Sequence, residues 1–362
     1  MTVKYTHKIA EATLLGFIKL LFRWKGSMWK LIWKDVLIFG TIYVSISLSY
    51  YLAFNDEQKT RFQQIALYCN LNSYKIPLAF VLGFYVSQVV SRFWLYFNSI
   101  PWPSTLAYYV NIFITGEDEN TRKYRRTVMR YVCCTFTMVM RSICQPVKKR
   151  FPTLNHLVEA GLLTEEEETE VKNFEVKCNH YFIPIVWGTS LISTARKQGM
   201  IKKDIDQERL IMELNAFRSG CSKLIRFDWV TLPLVYTQVV SVAVYLFSFT
   251  CLLGRYPFIK EGNQESYFPF FTLLQFVFYI AWLKVGEAVA NPFGEDDDDF
   301  DVNILIDCFV QESFIVVDQL KTSIPKLVKD QHWNRQDFSM PQLNEVALVE
   351  FLGSAGGIKL VN

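Results

Sequence analysis

The sequence is poor in the residue patterns on which enzymes and metal proteins depend. Four histidines occur among 362 residues, and they lie too far apart to form a catalytic or metal-binding cluster. The eight cysteines show no C-x-x-C pair and no Cys/His ligand spacing, which argues against a zinc site or a redox motif. No Gly-x-Ser-x-Gly, Ser-His-Asp or P-loop pattern is present. We therefore predict a protein that is not an enzyme.

The chain also lacks a strong excess of one charge. Its formal net charge is +3, which is too small to indicate a nucleic-acid partner. The first residues, MTVKYTHKIAEATLLGF, have no uninterrupted apolar core of the kind found in signal peptides. Hydrophobic residues make up 51% of the chain and charged residues 20%, so membrane lipid is an expected partner of one part and water of another.

Four apolar runs are long enough to cross a bilayer. The first, Val36–Phe54, has 19 uncharged residues and is about 28 Å long as a helix. The second lies within Ile76–Pro103, where the Pro-Trp-Pro triplet ends the helix. Trp229–Gly254 and Ser266–Leu283 are the third and fourth. The mixed charges of Asn55–Lys75 indicate a loop between the first two spans.

Aromatic residues follow a helical period at the start of the second run. Ile76, Phe80 and Phe84 recur every fourth residue and share one stripe of a helix. Such a stripe faces lipid, packs against other helices or lines a pore. In a pore, the positive ring edges can pass a weakly hydrated anion, and an apolar constriction can close by dewetting. Gly83 would allow a neighbouring helix to approach closely.

Basic residues are concentrated between the second and third runs. The positive-inside rule places this zone, 104–228, in the cytosol. Its basic side chains form a solvated surface or together attract anions to a pore entrance. Tyr131–Met140 and Tyr181–Ala195 are apolar but too short or too closely flanked by charge to span, which indicates buried helices of a cytosolic domain. Four crossings then leave both termini in the cytosol.

An acidic run, Gly294–Phe300, closely follows the fourth span with the sequence GEDDDDF. It is either a solvated turn or a calcium site, because calcium prefers carboxylate and carbonyl oxygens. The EF-hand spacing is absent, so carbonyl ligands would have to come from elsewhere. Asn291-Pro292 would end the membrane helix and leave its last carbonyl groups free to coordinate an ion.

Six motifs occur along the chain in a distinctive order and spacing. They are MTVKYT, IPLAFVLGFYV, the Pro101–Pro103 turn, KRFP at Lys149–Pro152, LPLVYTQVV at Leu232–Val240 and NPFGEDDDDF at Asn291–Phe300. Together they resemble the bestrophin family. Bestrophins are calcium-activated chloride channels, and the resemblance implies a homopentamer whose second helices form a neck above a cytosolic vestibule that narrows at a lower aperture.

The resemblance implies roles for individual residues. The neck would consist of Ile76, Phe80 and Phe84, and Ile205 would form the aperture, although the expected Asp-Pro before it is missing. Phe93 and Ser104 replace an expected Trp and Asp, so we expect the neck geometry to be tuned differently. The terminal EFLGSAGG around Ser354 loosely resembles the family's gating segment. The calcium clasp would comprise the side chains of Asp296 and Asp299 and the backbone carbonyls of Ala10, Ala288 and Asn291.

The sequence therefore predicts an all-α membrane protein with four transmembrane helices per subunit and a helical cytosolic domain. The family resemblance implies that the subunits assemble as a homopentamer around a central pore. We expect an anion channel in the plasma membrane that conducts chloride and opens when cytosolic calcium binds. A secondary anion transporter is the alternative, but no paired halves with broken helices are visible. We predict five segments. Residues 1–35 form the N-terminal segment, 36–103 the first two spans and 104–228 the cytosolic domain. Residues 229–291 form the last two spans, and 292–362 form the clasp and the C-terminal segment.

Overall fold

The computed structural model describes residues 16–75, 77–175, 179–256, 269–323 and 325–334. Every regular element within these ranges is a helix, and none is a strand, which confirms the predicted all-α class. In chain order the α-helices are α1 Gly16–Leu21, α2 Met28–Leu52, α3 Asp56–Asn72, α4 Leu78–Asn98, α5 Ser104–Phe113, α6 Glu119–Ile143, α7 Gln145–Arg150, α8 Asn155–Glu159, α9 Glu165–Asn173, α10 Phe182–Lys197, α11 Asp204–Trp229, α12 Leu234–Gly254, α13 Phe270–Val289, α14 Val302–Phe314 and α15 Leu320–Thr322.

Four of these helices are long and apolar enough to cross a membrane, and they correspond to the four predicted spans. They are α2, α4, α12 and α13. The predicted bounds differ most at three ends. Helix α2 begins at Met28 rather than Val36, α12 begins at Leu234 rather than Trp229, and α13 continues to Val289 rather than ending at Leu283. In α13 the charged Lys284 and Glu287 form an ion pair at 2.7 Å, which helps the helix to continue past its first charge.

The prediction of a loop between the first two spans is wrong. Residues Asp56–Asn72 form α3, and a 3₁₀ turn follows at Ser73–Lys75. The backbone N–H of Asn55 donates to Gln58 Oε1 at 3.0 Å, and Asp56 lies in the first turn, where a carboxylate is favoured by the helix dipole. Mixed charges excluded a membrane span here, but they did not exclude a helix.

Contacts divide the chain into two compact units. The first comprises Leu21–Ile100 and Ser222–Phe300 and contains all four membrane-type helices. The second comprises the described residues up to Leu20, Pro101–Cys221, and the described residues from Asp301 onward.

The core of the first unit forms where α4 and α13 pack together. Tyr85 and Val89 of α4 are buried, as are Phe276 and Ile280 of α13. Phe39 of α2 stacks on Phe276 with ring centroids 3.9 Å apart. One face of α4 is thus committed to packing within its own chain.

A glycine sets the distance between α4 and α13, although it is not the predicted one. A Cβ added at Gly286 would lie 2.8 Å from Tyr85 Cε1, so only glycine allows this approach. A Cβ added at Gly83 would meet nothing within 4 Å. Within the described chain, therefore, Gly83 does not provide the close helix contact that we expected.

In the second unit, the core is built around α6. Every residue of Tyr131–Met140 is buried, and α10 buries Ile183, Ile185 and Ile192, so the two predicted buried helices are confirmed. Arg125 of α6 is also buried, and its guanidinium donates to the carbonyl oxygens of Gly116 at 2.7 Å and Val317 at 3.1 Å. These hydrogen bonds compensate for the desolvation of the buried charge.

Candidate functional site

Helix α4 has two faces of different character. It begins directly after Pro77, and its first charged residue is Arg92. Leu82, Tyr85 and Val89 lie on the face that is buried against the first unit's core. The opposite face is therefore available for contacts outside the chain.

Phe80 and Phe84 lie on the exposed face. Their side chains are 65% and 55% exposed, and their rings meet with centroids 4.7 Å apart. Ser87, Gln88 and Ser91 are also exposed and continue the same stripe, because they follow Phe80 at intervals of seven, eight and eleven residues. We call these five residues the exposed stripe. Its polar half was missed in the sequence, although the same helical period would have revealed it.

Three other predicted site residues, Ile76 of the neck, Ala10 of the clasp and Ser354 of the gating segment, lie outside the described residues. Ile205 is 53% exposed in the first turn of α11, next to Asp204, which pairs with Arg196 at 2.7 Å.

Residues 291–300, which we call the acidic loop, fold back on themselves after α13. The N–H of Phe300 donates to Pro292 O at 2.9 Å, and the N–H of Asp296 donates to Asp299 Oδ2 at 2.6 Å. Asp299 is only 5% exposed, whereas Asp296 is exposed. The two predicted calcium-binding carboxylates thus lie in one turn, with one buried and one in solvent.

The buried carboxylate of Asp299 is closely confined. A Cβ added at Gly294 would lie 2.7 Å from Asp299 Oδ2, so glycine is required at position 294. Burial raises the pKa of Asp299 to about 6, and the nearby charges of Asp296 and Asp298 add to the increase, although the hydrogen bond from the Asp296 N–H opposes it. A bound cation would offset the cost of burying this negative charge.

Oxygen ligands for such a cation would have to include backbone carbonyls. Among the described residues, no group of three or more His, Cys, Asp or Glu side chains could hold a metal ion. Ala288 lies in the last turn of α13, and Pro292, four residues further on, has no N–H to donate to its carbonyl. The carbonyl of Ala288 therefore lacks its helical donor, and Asn291 lies just beyond the end of the helix. These hard oxygen donors fit the chemistry of calcium.

Aromatic rings connect the acidic loop to α4. The ring of Phe300 lies 4.6 Å from that of Phe93 and 5.2 Å from that of Phe97, and Phe293 makes an edge contact with Tyr96 at 5.4 Å. We call these five residues the aromatic bridge. The acidic loop is therefore packed directly against the helix that carries the exposed stripe.

The same half of α4 also holds the end of α11. The hydroxyl of Tyr96 donates to Phe227 O at 2.8 Å, and the guanidinium of Arg92 donates to the carbonyls of Phe227 and Val230. These carbonyls lie at the C-terminus of α11, where helical donors run out and a cation is favoured. Arg92 and Tyr96 thus fix α4 against the chain that leads into α12.

Comparisons with known proteins agree on one family. A family model described as "Bestrophin, RFP-TM, chloride channel" matches residues 1–319. Human Bestrophin-3 is 43% identical over 98% of this chain and 54% of its own length, and human Bestrophin-1 is 40% identical over 99% of this chain and 63% of its own. The chain thus spans only about half the length of Bestrophin-3.

Solved structures show the same fold at lower sequence identity. A bacterial Bestrophin homolog from Klebsiella pneumoniae has a TM-score of 0.58 at 20% identity, covering 80% of this chain and 98% of that one. A mutant of that homolog gives a TM-score of 0.60, also at 20% identity, with 78% and 97% covered.

Four membrane-type helices and a helical second unit define an all-helical integral membrane protein. The chain belongs to the bestrophin family of chloride channels. Bestrophins are channels and not enzymes, so the prediction that this protein is not an enzyme is confirmed.

Proposed function

We propose that this protein is an anion channel that conducts chloride and that opens when calcium binds to the acidic loop. The observation that carries the proposal is the exposed stripe of α4. Gln88 and the two serines of the stripe are costly to place against lipid tails, whereas they are readily hydrated in a water-filled passage. Phe80 and Phe84 are the apolar part of the same surface and would form its constriction.

Several copies of the chain are needed to enclose such a passage. A single α4 offers one stripe, and its other face is already buried against α13. Repeating the subunit around a closed ring turns every stripe toward the axis and leaves no unpaired surface. The family resemblance puts the number of subunits at five, so the proposed assembly is a homopentamer whose neck is formed by Phe80 and Phe84, with Ile76 completing it.

Calcium is proposed to bind at the acidic loop. The carboxylates of Asp296 and Asp299 would hold it together with the carbonyls of Ala288 and Asn291, and Ala10 would complete the clasp. The raised pKa of Asp299 and the missing donor at Ala288 O support this assignment, because both leave an oxygen that a cation would stabilise. When bound, calcium would neutralise the negative charge of the buried Asp299 carboxylate.

The aromatic bridge is proposed to carry the effect of calcium to the neck. A ligand shifts a conformational equilibrium only as far as it prefers one state over the other. If the ordered loop fits the wide arrangement of α4, calcium increases the open population through the contacts of Phe293 and Phe300.

Two further assignments concern the cytosolic part. Ile205 is proposed as the lower aperture, and its exposed side chain is free to face a shared axis. The segment around Ser354 is proposed to regulate gating.

The proposed setting is the plasma membrane with both termini in the cytosol, in accordance with the positive-inside rule.

Purified protein reconstituted into a planar bilayer tests the proposal. Single-channel steps of chloride current that appear with calcium and disappear when it is chelated are the expected result. Chloride flux that saturates and requires a coupled ion would instead identify a transporter. Current that does not depend on calcium would overturn the gating proposal and leave the pore proposal standing.

A further inference from the structure

The start of α2 presents an unusual combination of side chains at the end of a membrane span. Three tryptophans, a phenylalanine and three lysines are exposed there within thirteen residues, and Arg23 lies among them. We call this surface the interfacial patch, and its members are Phe22, Arg23, Trp24, Lys25, Trp29, Lys30, Trp33 and Lys34.

The patch is structurally defined. Ser27 caps α2 by accepting from the N–H of Lys30 at 3.3 Å, and its hydroxyl donates to Trp24 O at 2.8 Å. The indole N–H of Trp29 donates to Leu21 O at 2.8 Å. Gly26 has a φ of 68°, a left-handed conformation that favours glycine and turns the chain into the helix. The basic and aromatic side chains are therefore displayed from a fixed turn.

We propose that the interfacial patch binds the headgroup of an anionic phospholipid in the cytosolic leaflet. Tryptophan rings favour the boundary between hydrocarbon and water, and lysines next to a membrane span attract anionic lipids. The position of the patch at the first turns of α2 places both kinds of side chain at that boundary. The cytosolic side follows from the proposed orientation, on which this inference rests.

Charge complementarity favours an anion at this position. The patch carries four cations, Arg23, Lys25, Lys30 and Lys34, and one carboxylate of the described chain, that of Asp297, contacts it through Lys30. Asp297 pairs with Lys30 at 2.6 Å and also accepts from the N–H of Gly26 at 3.0 Å. Lys25 and Lys34 are exposed, and Lys34 lies over the ring of Trp33 at 5.7 Å. A phosphate group can therefore be held by either of these lysines without breaking the ion pair between Lys30 and Asp297.

The position of Lys30 connects the lipid to the acidic loop. Lys30 lies one helical turn before Lys34, and its partner Asp297 belongs to the loop that contains Asp296 and Asp299. Positive charge beside a calcium site weakens calcium binding, and an anionic headgroup neutralises that charge. Anionic lipid should therefore lower the calcium concentration that is needed for activation.

Lipid selectivity tests the binding itself without any need for channel activity. Protein is reconstituted in phosphatidylcholine bilayers with spin-labelled phosphatidylserine or phosphatidylcholine, and the motionally restricted fraction of each label is measured. The unaltered chain is expected to prefer phosphatidylserine. In the double variant Lys25→Gln and Lys34→Gln, the preference should fall by about fivefold or more, since each basic side chain near an anionic surface favours its lipids by about that factor.

A matched variant controls for loss of charge in general. Arg61→Gln together with Lys75→Gln removes the same charge from exposed positions beyond the other end of α2, and the preference should remain. Equal preference in the unaltered chain and in Lys25→Gln/Lys34→Gln would overturn the proposal. Loss of preference when inorganic phosphate is added would also overturn it, because the patch would then take a free anion rather than a lipid.

A second measurement tests the connection to the acidic loop. Chloride flux is recorded against calcium in vesicles with and without phosphatidylserine. The lipid should reduce the half-activating calcium concentration more in the unaltered chain than in Lys25→Gln/Lys34→Gln. An equal reduction in both would reject the connection, whereas a complete absence of flux would count against the proposed function and leave the lipid-selectivity result unaffected.

Discussion

Gly286 on α13 lies directly against the ring of Tyr85 on α4. The added Cβ of an alanine at position 286 would be 2.8 Å from Tyr85 Cε1, and the tyrosine is only 2% exposed. The ring has no free space into which it could move. This contact therefore fixes the separation of the two helices.

Gly286→Ala should destabilise the protein by about 1–3 kcal/mol, because a well-packed core accommodates an extra methyl group only by shifting backbone or side chains. Thermal unfolding in detergent measures the change. Gly40→Ala is the matched control, since a Cβ added at Gly40 would meet nothing within 4 Å. Equal melting temperatures for the two variants would show that α4 and α13 are not in close contact.

Phe80→Ala combined with Phe84→Ala should produce a channel that no longer closes when calcium is removed. In the proposed neck, the two rings supply the apolar surface that excludes water, and alanine would leave the passage wider and wetter. Chloride efflux from vesicles in calcium chelator measures this leak. Phe249→Ala combined with Phe278→Ala changes two other exposed phenylalanines on α12 and α13 and should leave closure intact. Full closure of the Phe80/Phe84 variant would indicate that these rings face lipid.

Asp299→Ala should abolish the dependence of current on calcium. Among the proposed ligands, the buried carboxylate of Asp299 would be stabilised most by a bound cation. Its removal therefore takes away a ligand and the largest electrostatic contribution to binding. Calcium titration of the current is the measurement. Asp298→Ala alters an exposed carboxylate of the same loop and should shift the titration much less. Normal calcium dependence in Asp299→Ala would remove this residue from the clasp.

Phe300→Ala should separate calcium binding from channel opening. The substitution removes the ring that contacts Phe93 and Phe97, whereas the carboxylates of the loop remain. Calcium binding, measured by isothermal titration calorimetry, should persist, and the maximal open probability should fall. A variant that binds calcium and opens as well as the unaltered chain would show that the aromatic bridge does not carry the signal.

Stability in the second unit should depend on pH through Glu167. Burial by itself would raise the pKa of Glu167, but hydrogen bonds from Arg130, the Tyr131 hydroxyl and the Thr164 N–H outweigh it and lower the pKa. Arg130 donates two hydrogen bonds to the carboxylate of Glu167, and the one from Nη2 to Oε1 is 2.7 Å long. The hydroxyl of Tyr131 donates to the same Oε1 at 2.6 Å.

Because the pKa of Glu167 is lower in the folded state, its ionised carboxylate stabilises the fold at pH values above the unfolded-state pKa. This stabilisation is lost as the pH falls through the folded-state pKa. Glu167→Gln should therefore cost about 2 kcal/mol at neutral pH and progressively less below about pH 4. Thermal unfolding as a function of pH measures this difference. Glu119→Gln removes an exposed ion pair with Lys123 and should have little effect at any pH. A constant difference between the unaltered chain and Glu167→Gln from neutral to acidic pH would contradict the assignment.

The membrane helices could be predicted from the sequence because an uncharged run of about twenty residues is typical of a membrane span and rare elsewhere. Their ends could not be predicted as well. Lys30 and Lys34 lie inside α2 and Lys284 lies inside α13, because charged side chains at the ends of a span can reach water or form ion pairs. The helix at Asp56–Asn72 was missed because it has no apolar run, and its start depends on local capping.

The site was predictable only in part, for a similar reason. The aromatic half of the exposed stripe follows from periodicity, and its polar half follows from the same rule once the buried face of α4 is known. The burial of Asp299 has no sequence signature, because it arises when Phe300 folds back onto Pro292. The roles of Gly294 and the aromatic bridge depend on that same fold of the loop and have no sequence signature either.

The ring contacts between the acidic loop and α4 join phenyl and phenol groups without formal charge. Dissolved ions screen attraction between charged groups, yet they leave dispersion forces between rings almost unchanged. Whether a cell is rich or poor in halide, the proposed link from the calcium site to the neck would keep the same strength. The proposed channel would thereby avoid having its own control weakened by the ions that it conducts.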